Sequence, residues 1–514
     1  MSTRSESTPS SVKDFVLVIA TSGVTTLNVF LNGALTVALP TIGKDLKFRQ
    51  ADLQWPLAVY ALSYGCLLLF FGRVGDIVGG RTMFLLGSTW FAIWSLGAAF
   101  APSVVTFVLF VGLQGLGAAA NTPAGIRILT ITFPVGKRRD KAFGILGAGQ
   151  SVGYILGLVA GGVFADSRAT WRTIFYIQTG LGLFFVALGW FALDKHVEDK
   201  RYTKGLDWGG AALSTIAIGL LTYSLADSTV VKGGWGAPQI PSLFAVSLML
   251  LSFFLYYERW RETRGLPVLM PLSMWNQPGA RMGSMVSLVF FAWFSFNSIN
   301  YLVTLYFQQV KLLNPLQTAV RFIPTTIAGF AVNIVTGYTM NRIPGHYLIL
   351  IGLLGSIAAP LIFALIDVDS SYWAMAFLVL IFVVGADAVY PVGNLQVCSA
   401  FADDSQALAG GVFNVATRIG TSIGLAVISS ISTAVSSHYN RAHPTLAPES
   451  PEVLMAGFRA AGWACFAAAL ISFCIALLKL RGMGIVGRRT SNEERRPDDV
   501  ELQPHSRAGT GIAK

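Results

Sequence analysis

The chain has 514 residues, of which 54% are hydrophobic and only 12% are charged, and its mean hydropathy is +0.60. Soluble domains cannot bury apolar surface in this proportion, so the composition predicts an integral membrane protein solvated largely by lipid. The formal net charge of +11 does not indicate a nucleic-acid partner. The basic residues stand in short turns between apolar runs, as expected for the cytoplasmic side of a membrane protein.

Apolar runs of membrane-spanning length recur along the whole chain. A spanning helix needs roughly 20 mostly apolar residues, and about fourteen runs reach that length. The first run follows a polar N-terminus at residues 1–14 and is too long for the core of a signal peptide, so we expect it to remain as a span. The predicted spans begin near Phe15, Trp55, Thr82, Val104, Lys141, Trp171, Trp208, Ile240, Met282, Leu316, Tyr347, Tyr372, Gln406 and Met455.

The distribution of basic residues predicts the orientation. With both termini in the cytoplasm, about 25 Lys and Arg residues lie in inward turns and tails and about 8 in outward turns. Lys200 then faces inward and Lys232 faces outward. The turn Phe401–Ser405 should face inward yet carries only Asp403 and Asp404, but acidic residues weigh little in this rule. We predict a multi-pass protein of the cell membrane.

Little polar sequence lies outside the spans. We expect an outward loop at Ser436–Val453 and a disordered tail at residues 482–514, where arginines mix with acidic residues. The four cysteines fall inside apolar runs, without the spacing of a zinc site or of an extracellular disulfide. The sequence therefore predicts no metal site.

One polar turn, Gly72–Arg81, separates the second and third predicted spans. Its glycines let two helix ends approach closely, and its carboxylate can face the positive N-terminus of a neighbouring helix. Many membrane hairpins use glycine and a charge for purely structural reasons, which is the alternative interpretation. The candidate gating residues of this turn are Gly72, Asp76, Gly79 and Arg81.

Several motifs follow one another along the chain. In chain order they are Ala38–Gly43, Gln54-Trp55, the hairpin Gly72–Arg81, Gln114–Gly117, Trp171-Arg172-x-x-Phe175, Tyr372-Trp373, Gly385–Asp387 and Gly410-Gly411-x-Phe413-Asn414. Together they resemble the drug:proton antiporter-2 family of the major facilitator superfamily. The last three motifs are similar to a fungal branch that includes aminotriazole-resistance and boron-efflux proteins.

The resemblance implies an all-α fold with two six-helix halves and two inserted helices. On this basis the N-terminal half covers residues 15–194 and a linker with the inserted helices covers 195–260. The C-terminal half covers residues 261–481. The two halves are expected to rock around a central cavity near the middle of the membrane.

Four glycines recur at every fourth position of the fifth predicted span, at Gly149, Gly153, Gly157 and Gly161. They share one helix face, so a neighbouring helix can pack backbone to backbone there. The antiporter signature of the family lies at this place, usually with a proline where this chain has Leu158. We predict a gating seam, and a plain packing groove is the alternative.

The chain departs from the family pattern at two positions. The family commonly has a coupling arginine where this chain has Val111, so the resemblance alone does not carry proton coupling over. In the hairpin, Gly80 stands where an arginine is usual. Arg127 lies too far along the fourth span to replace the missing arginine, and we interpret it as a snorkelling anchor near the membrane surface.

Two ionisable residues lie deep in predicted spans, Asp387 in the twelfth and Arg418 in the thirteenth. Counted from the turn between these spans, both lie about 20 Å from the same membrane face, so we expect that they can meet. One interpretation is a structural ion pair that neutralises two charges. The other is that Asp387 takes up and releases a proton while Arg418 holds its ionised form.

Amide and aromatic side chains mark a possible substrate path. Because the resemblance assigns their spans to the central cavity, the candidate substrate-binding residues are Asn28, Asn32, Tyr64, Gln150, Trp293, Asn297, Asn300 and Asn394. Such a lining suits uncharged or weakly basic organic molecules. Each amide can equally be a hydrogen bond between helices.

These observations predict a secondary active transporter that exports a small organic compound by proton antiport. Its partners would be that compound, protons and the lipid bilayer. One alternative is an uncoupled facilitator or a carrier of a small inorganic solute such as ammonium or borate, and another is a transporter-like receptor that does not transport. We expect neither enzymatic activity nor a cofactor, because the sequence offers no metal spacing and no nucleophile motif.

Overall fold

The computed structural model of the chain describes residues 11–48, 55–133, 136–165, 167, 170–193, 205–228, 231, 234–276, 281–401 and 406–485. Within these ranges the chain is almost entirely helical and contains no β-strand. The α-helices are α1 Ser11–Leu46, α2 Trp55–Val78, α3 Gly80–Ala99, α4 Val104–Thr132, α5 Lys137–Ala165, α6 Arg172–Ala192, α7 Trp208–Asp227, α8 Gln239–Thr263, α9 Met282–Leu305, α10 Pro315–Thr339, α11 Gly345–Ala364, α12 Phe377–Phe382, α13 Gly385–Ser399, α14 Gln406–Ala442 and α15 Pro451–Lys479. Lys200, Lys232, the turn at residues 402–405 and the two ends at 1–10 and 486–514 lie outside the described residues.

Fourteen helical segments of the described chain are long and apolar enough to cross a membrane, which confirms the predicted number. Helices α12 and α13 together form the twelfth span, and α14 and α15 are the thirteenth and fourteenth. Two π-helical turns form the ends of spans: Tyr306–Val310 ends the ninth span after α9, and Tyr372–Ala376 begins the twelfth span before α12. The loop predicted at Ser436–Val453 is present but shorter, because α14 continues to Ala442 and α15 begins at Pro451. Hydropathy locates the edge of the hydrocarbon layer, and a helix can extend past it.

The spans form two groups that pack internally. In the N-terminal half, α1 packs along α5 and α6, while α4 packs against α2 and α3. In the C-terminal half, α9 packs against α14 and α15, and α11 packs against α13 and α15. We call the side of the bundle at Gly79, between α2 and α3, the hairpin end, and the other side the opposite end.

Two helix pairs make most of the contact between the halves, α5 with α10 and α2 with α14. We call the first contact the α5–α10 seam. Near the hairpin end of this seam, Gly144 and Gly337 bring the two backbones together. A Cβ atom built on Gly337 would lie 2.9 Å from the Gly144 Cα, so neither position has room for a side chain.

The two inserted helices form a hairpin beside the α2–α14 contact. Helix α7 packs against both α2 and α14, and the Tyr223 ring stacks on Trp55 with 5.7 Å between centroids. Helix α8 packs mainly on α7 and exposes large apolar side chains such as Met249 and Tyr256. Exposed apolar residues on a spanning helix are suited to contact with lipid.

At the opposite end, an ion pair links the end of α1 to the start of α6. The Asp45 Oδ2 accepts hydrogen bonds from the Trp171 Nε1 at 2.9 Å and from the Arg172 Nη1 at 2.7 Å. These two donors hold the pKa of Asp45 below its ordinary value. The Trp171-Arg172 motif therefore fastens two helices of the same half.

Candidate functional site

The polar turn of the sequence forms a charged cluster between the halves, made of Gly75, Asp76, Arg127 and Leu408. We call it the hairpin cluster. The Asp76 side chain has no exposed surface, and its Oδ1 lies 3.6 Å from the Arg127 Nε. Its Oδ2 accepts a hydrogen bond from the Leu408 backbone N at 3.2 Å, in the first turn of α14. The carboxylate of the N-terminal half thus faces the positive end of a C-terminal-half helix, the arrangement expected from the sequence.

The interpretation of Arg127 as a surface anchor was wrong. Its side chain is only 12% exposed, and its Nη1 donates to the Gly75 carbonyl oxygen at 3.1 Å. The end of α2 covers Arg127 on the side that faces the bundle. It is therefore part of the hairpin cluster.

The other hairpin residues shape the turn within the N-terminal half. Gly79 separates α2 from α3 with a φ of 106°, a conformation that a side chain makes costly. Gly72 is buried within α2. Arg81 donates to the Trp190 carbonyl oxygen at 3.3 Å, and its guanidinium lies 5.2 Å from the centroid of the Trp190 ring. The gating role of these residues stays a prediction.

The four glycines of α5 do not face the other half of the molecule. Cβ atoms built on Gly153 and Gly157 would lie 2.3 Å from the Thr26 carbonyl oxygen and 2.1 Å from the Phe30 carbonyl oxygen, both on α1. Gly149 and Gly161 lie against the same helix. This face therefore packs tightly inside the N-terminal half, and the cross-half contact of α5 lies on another face.

That other face carries a polar group we call the seam carboxylate cluster, made of Asp387, Ser151, Gly329 and Asn333. The Ser151 Oγ donates to the Asp387 Oδ2 at 3.5 Å, and the Asn333 Nδ2 lies 3.5 Å from the same Ser151 Oγ. A Cβ on Gly329 would lie 2.6 Å from the Asp387 Oδ2, so the carboxylate occupies space that only glycine leaves. Asp387 is half-buried where α5, α10 and α13 meet.

The predicted ion pair between Asp387 and Arg418 is not formed. The Arg418 guanidinium lies on the Tyr64 ring, 4.2 Å from its centroid, and Arg418 has no carboxylate within 4.0 Å among the described residues. The sequence estimate gave the depth of the two residues along their helices, but it did not give the direction in which each side chain points. Helix α13 turns Asp387 toward α5 and α10, whereas α14 turns Arg418 toward α2.

On the N-terminal side, hydrogen bonds within the same half hold three of the polar candidates. The Asn28 Nδ2 donates to the Asn121 Oδ1 at 2.9 Å and lies 3.2 Å from the Thr122 Oγ1. The Tyr64 hydroxyl lies 3.0 Å from the same threonine oxygen. Asn32 is half-buried, and its amide lies 3.5 Å from the Asn28 carbonyl oxygen. This side of the site is a packed network of amides and hydroxyls.

On the C-terminal side, aromatic rings surround Tyr390. Its hydroxyl donates to the Asn414 Oδ1 at 2.9 Å, and its ring lies 5.6 Å from that of Trp293. Gln150 of the N-terminal half reaches the same hydroxyl. We call Tyr64, Gln150, Trp293, Tyr390 and Arg418 the midplane cluster. It brings together five side chains from both halves.

The remaining amide candidates form hydrogen bonds within or between helices, which favours a structural role over contact with a substrate. The Asn297 Nδ2 bonds to the Thr421 Oγ1 at 3.0 Å, linking α9 to α14. The Asn300 Nδ2 bonds back to the Phe296 carbonyl oxygen at 2.8 Å. Asn394 has no exposed surface, and its Oδ1 accepts from the Cys398 Sγ at 3.2 Å. Substrate binding by these three residues stays a prediction.

Two positions of α4 that the family resemblance singles out, Val111 and Gln114, are buried within the N-terminal half. Val111 is fully buried in α4, and one turn further on Gln114 donates to the Gln178 Oε1 at 3.0 Å. Gln178 in turn donates to the Leu27 carbonyl oxygen at 3.2 Å. The motif Gln114–Gly117 therefore joins α4, α6 and α1.

Sequence reasoning missed Ser151, Asn333 and Tyr390. Ser151 stands between two of the α5 glycines and Tyr390 lies three residues after Asp387, so both were close to residues already selected. Their contacts with the other half could not be read from the sequence. The Ser151–Asn333 contact, for example, joins residues more than 180 positions apart.

A family model described as Major Facilitator Superfamily matches residues 21–425. The chain belongs to the major facilitator superfamily. Its fourteen spans fit the drug:proton antiporter-2 type, as the motifs predicted. It is 33% identical to MFS-type transporter 1 of Pyricularia oryzae, with 92% of this chain and 84% of that protein covered.

Other relatives in the superfamily carry different names. The chain is 26% identical to the low affinity ammonium transporter of Saccharomyces cerevisiae, with 78% of each chain covered. It is also 26% identical to the multidrug resistance protein Stp of Mycobacterium tuberculosis, with 84% of this chain and 79% of that protein covered. The structure of the human organic anion transporter MFSD10 (TETRAN) matches with a TM-score of 0.64 at 12% identity, covering 90% of this chain and 99% of that one. This likeness confirms the facilitator fold.

As a member of the major facilitator superfamily, this chain is a multi-pass membrane transporter. In this superfamily substrates are bound between the halves near the middle of the membrane. The midplane cluster lies between the halves, and Asp387 of the seam carboxylate cluster stands three residues before Tyr390 of the midplane cluster on α13.

Proposed function

We propose that this major facilitator protein exports a small organic compound, such as a drug, toxin or secondary metabolite, in exchange for protons. The observation that carries the proposal is the place of Asp387. This carboxylate lies at the α5–α10 seam, where it contacts Ser151 of the other half. A proton acceptor at the contact between two moving halves can link protonation to their motion.

The link is electrostatic. An ionised carboxylate inside a membrane is costly unless cations or several donors stabilise it. Asp387 has one hydroxyl donor at 3.5 Å and, among the described residues, no cation within 4.0 Å. A closed seam therefore favours the protonated acid, and an open, hydrated seam favours proton release.

The hairpin cluster supplies a second contact that must break during transport. Asp76 holds the first turn of α14, and the seam glycines lie at the same end of the bundle. We propose that these contacts close the hairpin end when the opposite end opens. In the proposed orientation both termini and the hairpin end are cytoplasmic, and the protein lies in the cell membrane.

The midplane cluster is the proposed substrate site. Tyr64, Trp293 and Tyr390 supply aromatic surface, and Gln150 supplies an amide from the other half. Ligand sites in proteins are mostly apolar with a few placed polar groups. This composition supports an organic substrate with an uncharged or weakly basic character.

The test is transport by the purified protein in vesicles, with a compound identified by screening a deletion strain against a toxin panel. We expect Asp387→Asn to abolish uphill export driven by a pH gradient and to leave downhill exchange of the compound largely intact. Asp367→Asn is the matched control, because that carboxylate is exposed at the opposite end and pairs with Arg459. Normal pH-driven export by Asp387→Asn would contradict the proposal.

The second candidate is an uncoupled facilitator or a carrier of a small inorganic solute. Val111 favours it, because this buried residue stands where the family resemblance places a coupling arginine, and one relative is named as an ammonium transporter. The same vesicles decide between the candidates. Transport of ammonium or borate that is insensitive to a pH gradient would favour the second candidate, and binding without any transport would indicate a receptor-like protein.

A further inference from the structure

A separate cavity of about 310 Å³ opens at the opposite end of the C-terminal half. It lies between the two π-helical turns, Tyr306–Val310 and Tyr372–Ala376, with the side of α10 as a third wall. In the proposed orientation this is the outer end. π-Helical turns are rare and frequently occur at functional sites. Here two of them line one cavity.

The charge of this outer cavity comes mainly from two basic residues. The Arg321 guanidinium lies 5.1 Å from the centroid of the Tyr372 ring and 5.5 Å from that of Phe307. Among the described residues, none accepts a hydrogen bond from this guanidinium and no carboxylate lies within 4.0 Å of it. The group is held by aromatic surface and its donors remain available to a ligand.

The second cation is Lys311. Its Nζ donates to the Val368 carbonyl oxygen at 2.6 Å and lies 5.8 Å from the centroid of the Tyr306 ring. Asp369 also lines the cavity, but within the described chain it forms no ion pair with Lys311 or Arg321. Two cations and one carboxylate give the lining a positive balance, which favours an anion.

We propose that the outer cavity binds a small organic anion, a carboxylate attached to one aromatic ring. A guanidinium can hold a carboxylate through two parallel hydrogen bonds, and this geometry distinguishes carboxylates from neutral groups. Phe307, Tyr372 and Tyr306 supply ring faces for the apolar part. The volume is at the lower limit of ligand cavities, about 300 Å³, so a single ring is the appropriate size.

The experiment measures binding of benzoate to the purified full chain by isothermal titration calorimetry, with benzamide as the neutral analogue of the same shape. We expect benzoate to bind and benzamide to bind at least about tenfold more weakly, because a charge-assisted bond is lost. Arg321→Gln should weaken benzoate by a similar factor. Arg441→Gln is the matched control, since Arg441 lies at the same end of the bundle and bonds to the Ser437 carbonyl oxygen.

Two further variants locate the bound ligand. The Trp373 ring packs on Tyr372 with 5.0 Å between centroids, so benzoate should change tryptophan fluorescence in the native protein and not in Trp373→Phe. This readout holds even if Arg321→Gln does not fold. Asp387→Asn should bind benzoate normally, because Asp387 belongs to the seam carboxylate cluster.

Equal binding of benzoate and benzamide would overturn the proposal, as would undiminished binding by a folded Arg321→Gln protein. Loss of binding in Asp387→Asn would place benzoate between the halves and would also overturn it. None of these measurements uses transport. The proposal for the outer cavity can therefore be overturned while proton antiport holds, and the reverse outcome can be recognised equally well.

Discussion

At the scale of single residues, the contact of Arg418 with the Tyr64 ring predicts a specific pH behaviour. A cation over an aromatic ring is worth about 0.5–2 kcal/mol, and the Arg418 guanidinium lies 4.2 Å from the centroid of that ring. We therefore expect Arg418→Met to weaken transport without moving its pH optimum. The measurement is the pH profile of transport in vesicles.

Tyr64→Phe is the matched control for that variant, because it keeps the ring face and removes the hydroxyl. An upward shift of the pH optimum in Arg418→Met would show that Arg418 stabilises the ionised form of Asp387 after all. That shift is what the ion pair predicted from the sequence would require.

The hairpin cluster predicts a different kind of defect. A carboxylate at a helix N-terminus stabilises by about 0.3–1 kcal/mol, and by about 2 kcal/mol when partly buried, so Asp76→Asn should destabilise one end state by roughly this amount. We expect turnover to fall, by up to about thirtyfold at 2 kcal/mol, while substrate binding changes little. Binding and single-turnover rates measured on the same preparation separate the two effects. Lost binding with a normal rate would make Asp76 a site residue.

At the scale of elements, α5 uses two faces for two different purposes. One glycine face packs on α1 within the N-terminal half, and the other face carries Gly144 against Gly337 of α10. The first contact is compatible with a rigid half. The second must separate if the halves rock, because it joins them near the hairpin end.

Gly337→Ala tests this assignment. Its Cβ would lie 2.9 Å from the Gly144 Cα and 3.2 Å from the Asp140 carbonyl oxygen, both backbone atoms that cannot rotate away. We expect the variant to favour conformations in which the α5–α10 seam is open at the hairpin end. Spin labels at positions 141 and 338, whose side chains are neighbours with 4.8 Å between the Lys141 Nζ and the Tyr338 ring centroid, should then move apart.

Gly180→Ala is the control for that substitution, because a Cβ at Gly180 meets nothing within 4 Å. It should leave the distance between the labels unchanged. An unchanged distance in Gly337→Ala as well would mean that this glycine pair does not separate during opening.

At the scale of the whole molecule, the orientation in the membrane is the central prediction. The bias of basic residues and the two inserted helices predict that Lys200 lies in the cytoplasm and Lys232 outside. In intact cells, a membrane-impermeant thiol reagent should label a cysteine at position 232 and not one at 200. A cysteine at the exposed residue Arg441, at the opposite end, is the positive control. The reverse labelling pattern would invert the proposed orientation and move the outer cavity to the cytoplasmic face.

The number of spans and most of their starting points follow from the sequence alone, because crossing a bilayer requires a run of apolar residues whose length is fixed by its thickness. Asp76 facing a helix N-terminus was also predictable, since the hairpin places a carboxylate where a neighbouring span begins. Hydropathy reports depth in the membrane. It does not report which way a side chain points around its helix.

Tertiary packing decided those directions. The sequence predicts one depth for Asp387 and Arg418, but they face α5 and α2; Arg127 turns inward to Asp76, and the α5 glycines face α1. Each outcome depends on the rotation of a helix about its own axis. That rotation is fixed by contacts with spans that are distant in the sequence, so the partner of a charged residue could be known only from the assembled bundle.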